Sequence, residues 1–366
     1  MEIYFIIFSI FLLFSLLSLN IKLPNYYSYL FFFILLFFGS IRFEIGMDYN
    51  SYSELFNEIL PNFELSLRVT DTFSEPGYVF LIKIFKYVGF NNIALFALHI
   101  LISLFFVHKA IVKYSKNIFL SWLIFFGVYY INLLFNGIRQ GLLISILLYY
   151  IPILFKKGKY NFYKILFLTF ILTFFVHKTA LVIPILYFLT LFNINQNIKI
   201  LLVIISCIWA YGGIGDSIIQ LTHLDFVKNS SLLSVLDVYS VSENNENSIK
   251  FLSISMMHRL FFLLLGIYFT KFINDPVHLR ILNLYFWGVI LYIILVPLGY
   301  MIATRISMNF KIFDIITLSY FLFYLKEKEF KYSYVILIAI WSVSVMLTNF
   351  YIPGNYEFYV PFKTIF

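Results

Sequence analysis

Residues 133–150 read LLFNGIRQGLLISILLYY, an apolar stretch that carries Asn136, Arg139 and Gln140 within five positions. Placing a guanidinium among lipid chains costs ~2.5–3.5 kcal/mol on insertion scales. If the stretch lies in a membrane, Arg139 needs a partner, a ligand or a polar interface. Which of these applies depends on where the rest of the chain puts its charges.

Of the 366 residues, 62% are hydrophobic and 12% are charged, at a mean hydropathy of +0.91. A soluble domain of this length carries about 25% charged residues. Most elements here are therefore expected to be solvated by lipid. The 47 Phe and 29 Tyr are spread through every segment, as a compositional bias would leave them. The single cysteine, Cys207, excludes an internal disulfide. A net charge of +8 points to nucleic acid only where it forms an exposed block. Here the lysines stand at the ends of apolar runs, so no nucleic-acid partner is expected. The opening Met1-Glu2-Ile3-Tyr4 lacks the basic region and the cleavage site of a secretory signal, so the first run is expected to stay as a span.

A helix needs roughly 20 mostly apolar residues to cross a bilayer. By that rule spans are expected near 2–20, 27–42, 92–112, 117–132, 133–155, 161–177, 178–193, 198–212, 251–271, 280–299, 305–325 and 333–351. The fold class is all-α: a polytopic integral membrane helical bundle of roughly 10–13 crossings, with residues 1–366 forming one polytopic domain. Residues 75–89 are shorter and spaced by lysines, which suits an amphipathic helix at the surface. Lys and Arg in short loops mark the cytoplasmic side. Lys109, Lys113 and Lys116, then Lys156, Lys157, Lys159 and Lys164, then Lys271 and Arg280, and finally Lys326, Lys328 and Lys331 place four connections there. Two larger loops, 42–75 and 213–250, are poor in Lys and Arg and rich in Asp and Glu, and are expected outside. Both termini then fall outside as well.

With this topology, Arg139, His177, His258 with Arg259, and Arg305 come to similar depth near the outer face, from four spans distant in sequence. They are expected to line one cavity. Each alone has a plainer explanation: an arginine near a helix end snorkels to headgroup phosphate, and a histidine caps or packs. Lys311 and Asp314, one turn apart, are expected to pair with each other. Several arginines at one depth suit phosphate or pyrophosphate, whose oxygens a guanidinium fork binds two at a time. A ligand at that depth is itself lipid-anchored, which a polyprenyl-pyrophosphate sugar satisfies. Asp48, Glu75 and His177 are candidate bases toward a sugar hydroxyl. Tyr49, Tyr52, Tyr78 and Trp122 offer ring faces for sugars, and are equally explained as interfacial aromatics. Gln140 could orient a hydroxyl or brace a neighbouring span. There is no Walker A loop, no dinucleotide fingerprint, no H-E-x-x-H, no Asp-x-Asp and no cysteine pair, so no metal and no cofactor is implied.

Five elements run in order: Arg42-x-x-x-Gly46-x-Asp48-Tyr49 with Tyr52, then Glu75-Pro76-Gly77-Tyr78, Ile138-Arg139-Gln140, His177-Lys178-Thr179-Ala180-Leu181, and Arg305-Ile306-x-Met308. In that order the chain resembles the EpsG family of bacterial polysaccharide-biosynthesis membrane proteins, which is related in role to Wzy-type O-antigen and capsule polymerases. It departs from the pattern at Lys178, where a small residue is expected. The resemblance implies a multi-pass protein of the bacterial inner (cytoplasmic) membrane, working at its extracytoplasmic face. It implies a glycosyltransferase of the polymerase kind, with undecaprenyl-pyrophosphate-linked repeat units as donor and acceptor. Arg42, Arg139, Gln140, Arg259, Arg305, Tyr49 and Tyr78 would bind substrate, and His177, Asp48 or Glu75 would serve the chemistry. The lipid bilayer and a chain-length regulator are the partners it suggests.

The alternative functions are a lipid-linked oligosaccharide flippase and a ligase or acyltransferase of surface glycan. A flippase of this kind is expected to show pseudo-symmetric halves and cations through both leaflets, neither of which the sequence has. In intact cells, a cysteine placed at Asn245 should react with an impermeant maleimide, and one at Ser115 only after permeabilisation. The reverse pattern would invert the topology.

Overall fold

The computed structural model describes residues 1–61, 75–192, 194–212, 254–351 and 355–366. Residues 62–74 of the first acidic loop and all of 213–250, with Asn245, lie outside the described residues. The expected apolar runs are helical among the described residues. Among the described residues the β pairing consists of one bridge, between Arg42 and Thr364. The chain is a multi-pass helical membrane protein. Among the described residues four helices are long and apolar enough to cross by themselves: Asn92–Tyr114, Ile118–Asn136, Pro276–Leu295 and Lys328–Tyr351. The pair Ile302–Lys311 and Asp314–Tyr324, bent by 48°, makes a fifth if taken as one span. Shorter apolar helices occupy Glu2–Leu17, Tyr27–Ser40, Ile138–Pro152, Lys178–Leu191 and Gln196–Tyr211. At 1.5 Å per residue a 16-residue helix rises about 24 Å, less than a ~30 Å hydrocarbon core.

Local chemistry sets where these helices start. Asn91, Asn117 and Asn195 each accept a backbone N–H from the first turn that follows, and Asp275 does the same before Pro276. A side-chain oxygen at this position satisfies a donor that the helix itself leaves bare. Glu75 precedes Pro76 at the head of a 13-residue helix, where the fixed φ of proline suits the first turn and its missing N–H costs nothing.

The chain divides into two compact units, Met1–Pro184 with Leu318–Phe366, and Ile185–Thr317. In the first, α1 (Glu2–Leu17), α2 (Tyr27–Ser40), α3 (Tyr49–Glu58), α4 (Pro76–Val88), α5 (Asn92–Tyr114), α6 (Ile118–Asn136), α7 (Ile138–Leu154) and α8 (Lys159–Phe175) are followed near the C-terminus by a helix at Lys328–Tyr351. Helix α6 is buried along nearly its whole length, packed by α1, α5, α7 and Lys328–Tyr351. Its solvent is protein rather than lipid. Trp122, considered above as a sugar platform, is fully buried on α6 and donates to Ser28 Oγ at 2.7 Å.

The boundary expected at 132/133 falls instead at Gly137. From Phe125 to Asn136 the helix runs in π register. Its last turn closes when Gly137 N–H donates to Asn132 O, five residues back, at 3.1 Å. A π segment is rare and concentrates at functional positions. After Gly137 the chain turns into α7, and Gly141 lies against the end of α6. A Cβ there would stand 2.2 Å from the carbonyl oxygen of Leu133. That atom is backbone and cannot rotate aside. Gly141→Ala should therefore lower folded yield and melting temperature sharply. A wild-type melting curve would show that α7 can back away from α6.

Candidate functional site

Two arginines of the first unit organise its polar interior. Arg42 follows α2 and is 2% exposed. It donates to the backbone oxygens of Ile45 at 3.0 Å and Phe135 at 2.8 Å. Its guanidinium carbon lies 4.7 Å from the ring centre of Phe135, 5.6 Å from Phe96 and 5.9 Å from Tyr49. Arginine is suited to this, being planar, weakly hydrated and attracted to ring faces. Gly46, at φ 109°, lets the loop pass over Phe135, whose carbonyl oxygen would stand 2.4 Å from a Cβ. The C-terminal segment closes the same corner. Phe43 N–H donates to Lys363 O, Ile365 N–H to Ile41 O and Gly46 N–H to Phe358 O, while Tyr359 hydrogen-bonds Asn136. Asn136 Oδ1 also receives Met47 N–H at 3.0 Å. Arg42 thus braces the junction of α2, α6 and the tail.

Arg139 begins α7 and pairs with Glu75 at the head of α4. The other carboxylate oxygen of Glu75 accepts Lys178 N–H at 3.0 Å. One buried carboxylate therefore joins the starts of α4, α7 and the 3₁₀ turn Lys178–Val182. The guanidinium carbon lies 5.1 Å from the ring centre of Tyr78 and 5.4 Å from that of Tyr52. Tyr49, Tyr52 and Tyr78 are all buried in one cluster with Phe56, Leu95, Phe96 and Ile138. Their rings seat the two arginines instead of opening to solvent as platforms. Four polar atoms around the two arginines are enclosed without a hydrogen-bond partner: Arg42 Nε, Arg139 Nε and the hydroxyls of Tyr49 and Tyr78. Native interiors leave few such groups unfilled.

His177 caps the 3₁₀ turn. Its Nδ1 accepts Thr179 N–H at 3.2 Å and lies 2.9 Å from the Thr179 hydroxyl. An accepting Nδ1 puts the proton of the neutral ring on Nε2, so His177 is better placed to donate than to act as a base. Glu75 has both oxygens engaged. Asp48 stands at the head of α3, half-buried, its carbonyl receiving Tyr52 N–H at 3.0 Å. Gln140 is buried beside Arg139 on α7.

Arg259 and Arg305 belong to the second unit. There α9 (Ile183–Leu191), α10 (Gln196–Tyr211), α11 (Ile254–Phe269), α12 (Pro276–Leu295), α13 (Tyr300–Lys311) and α14 (Asp314–Phe321) are described, with the ends of α9 and α14 shared between units. Arg259 is buried and pairs with Asp314 at 2.8 Å. The spacing of a continuous helix predicts a pairing of Asp314 with Lys311 and gives no sign of Arg259. The helix breaks between them, and Asp314 reaches Arg259 while Lys311 Nζ lies 3.9 Å over the Tyr292 ring. Arg305 is exposed.

Sequence reasoning passed over His99, which sits within the apolar run of α5 with its ring centre 5.5 Å from that of Tyr78. A histidine within the apolar run 93–102 is the available signal. It also passed over Tyr359, whose partner Asn136 is 223 positions away.

A family model described as the EpsG family matches residues 25–364. No curated protein and no solved structure matches the chain.

Breaking a buried ion pair by removing one partner costs about 3–5 kcal/mol, because the other charge stays buried. Glu75→Ala and Arg139→Ala should each lower the melting temperature of the detergent-solubilised protein. The double substitution should cost less than the sum of the two. Strict additivity would mean that the carboxylate and the guanidinium do not depend on each other.

Proposed function

The chain belongs to the EpsG family of polysaccharide-biosynthesis membrane proteins, and from that premise we propose that it is a surface-polysaccharide polymerase of the bacterial cytoplasmic membrane. It joins repeat units carried on undecaprenyl pyrophosphate at the extracytoplasmic face. A hydroxyl of the acceptor repeat attacks the anomeric carbon of the donor sugar. The bond from that carbon to the pyrophosphate oxygen breaks, and undecaprenyl pyrophosphate leaves with the electron pair.

The observation that carries this proposal is Arg139, a guanidinium fixed on one side by Glu75 and backed by two tyrosine rings, with its Nε–H unfilled. Negative charge grows on the pyrophosphate as the glycosidic bond breaks. A cation already held in place stabilises that transition state more than the ground state, and no reorganisation is needed at the moment of reaction. Glu75 and Lys178 orient Arg139 in this scheme, and Arg42 holds the loop that carries Asp48. Arg305, exposed on α13, offers a phosphate contact in the second unit, whereas Arg259 is closed into its pair with Asp314.

Lipid-linked glycan from a deletion strain tests the polymerase assignment. Single repeat units should accumulate on the outer leaflet, whereas repeats trapped on the cytoplasmic leaflet would indicate a flippase. Removing one transition-state donor typically lowers rate by ~10²–10³. Arg139→Lys keeps the charge and loses the planar fork, so polymer made per folded molecule should still fall by at least tenfold. Near-normal polymer from properly inserted Arg139→Lys would return Arg139 to a structural role.

A further inference from the structure

We propose that His99 is the proton acceptor for the attacking hydroxyl, an assignment that rests on the polymerase reading above. His99 lies on α5 seven residues past Asn92, about 10 Å along the helix axis, and is 3% exposed. Its Nδ1 is 2.8 Å from the carbonyl oxygen of Leu95. A carbonyl only accepts, so Nδ1 carries the proton and the neutral ring bares its lone pair at Nε2. No described group hydrogen-bonds that nitrogen. The tautomer is the opposite of the one Thr179 imposes on His177.

The neighbours of this lone pair fit the task. The ring of Tyr78 from α4 touches both the His99 imidazole and the Arg139 guanidinium from α7, with centroid distances of 5.5 Å and 5.1 Å. Glu75, the remaining charged group at this position, is paired with Arg139. Ser103 stands one turn deeper on the same face of α5, and its hydroxyl is enclosed without a partner, as is that of Tyr78. A buried base with an unfilled lone pair, flanked by two unfilled hydroxyls and a fixed cation, is an arrangement that a sugar hydroxyl completes. Folding alone leaves it incomplete.

In the step, Nε2 takes the proton of the acceptor hydroxyl while its oxygen bonds to the anomeric carbon. The carbon–oxygen bond to pyrophosphate breaks, and the electron pair leaves on the phosphate held by Arg139. The imidazolium then releases its proton to solvent. General base catalysis of this kind contributes ~10²–10⁴-fold.

The test uses full-length protein in lipid nanodiscs and lipid-linked repeat units extracted from the deletion strain. Wild-type polymerisation should fall on the acid side as the His99 imidazole takes up a proton and loses its lone pair. His99→Gln should lower kcat by ~10²–10⁴ with KM unchanged, and should lose that acidic limb. His177→Gln, whatever its rate, should keep it. In the spectrum of ¹⁵N-histidine-labelled wild type at neutral pH, the rings with a proton on Nδ1 should include one besides His278, whose Nδ1 meets the Asp275 carboxylate, and that one signal should vanish in His99→Gln. A folded His99→Gln that retains the wild-type rate and acidic limb overturns the assignment and leaves the polymerase intact. If the variant does not fold, a wild-type His99 protonated on Nε2 overturns the assignment just as directly. Wild-type protein that makes no polymer defeats the polymerase assignment, and this one with it.

Discussion

Glu75 is the contact on which the first unit depends. Its carboxylate is nearly sealed from solvent and meets Arg139 on one side and the backbone N–H of Lys178 on the other. Each partner belongs to the start of a different helix or turn. An arginine among apolar helices is tolerable when a carboxylate neutralises it and the remaining hydrogen-bonding groups find work. The pair meets the first condition and leaves the second partly open at Arg139 Nε. That residual demand is what makes the site a candidate for an anionic ligand and more than a structural tie.

The π segment of α6 and its end at Gly137 decide where Arg139 stands. Had the helix ended at 132, residues 133–136 would lie on α7 and Arg139 would sit more than a turn inside it. Instead Asn136 completes α6 and is free to reach the loop at Met47 and the tail at Tyr359. Arg139 then falls in the first turn of α7. Arg42 works from the other side of this junction, with both of its described hydrogen bonds on backbone oxygens. Two arginines that look alike in sequence therefore differ in use. One hydrogen-bonds backbone carbonyls and the other a carboxylate, and each keeps its Nε enclosed without a partner.

The second unit carries its own buried charge. Arg259 with Asp314, Lys311 over Tyr292, and Lys199 donating to Asn283 at 2.6 Å are each held inside helices that are otherwise apolar. In a medium without water each charge settles on the nearest carboxylate, amide or ring face.

Much of this was legible in the sequence, for physical reasons. Hydropathy is a local property, so the helical class and the position of each apolar run could be read from stretches such as 92–112 and 333–351. The Arg139, Glu75 and His177 motifs stood out because polar side chains in apolar runs are costly and therefore conspicuous. What the sequence by itself could not settle was partnership and protonation. Spacing along a helix suggested Lys311 for Asp314, whereas Arg259, 55 positions away, could be found as a partner of that carboxylate only in the fold. Chemistry nominated His177 as a base, yet one backbone N–H two residues away turns its lone pair inward, while the carbonyl of Leu95 turns that of His99 outward. Composition and periodicity determine which residues must leave water. Only the tertiary structure decides which atoms they meet, because those partners lie scores of residues away or depend on the direction of a single hydrogen bond.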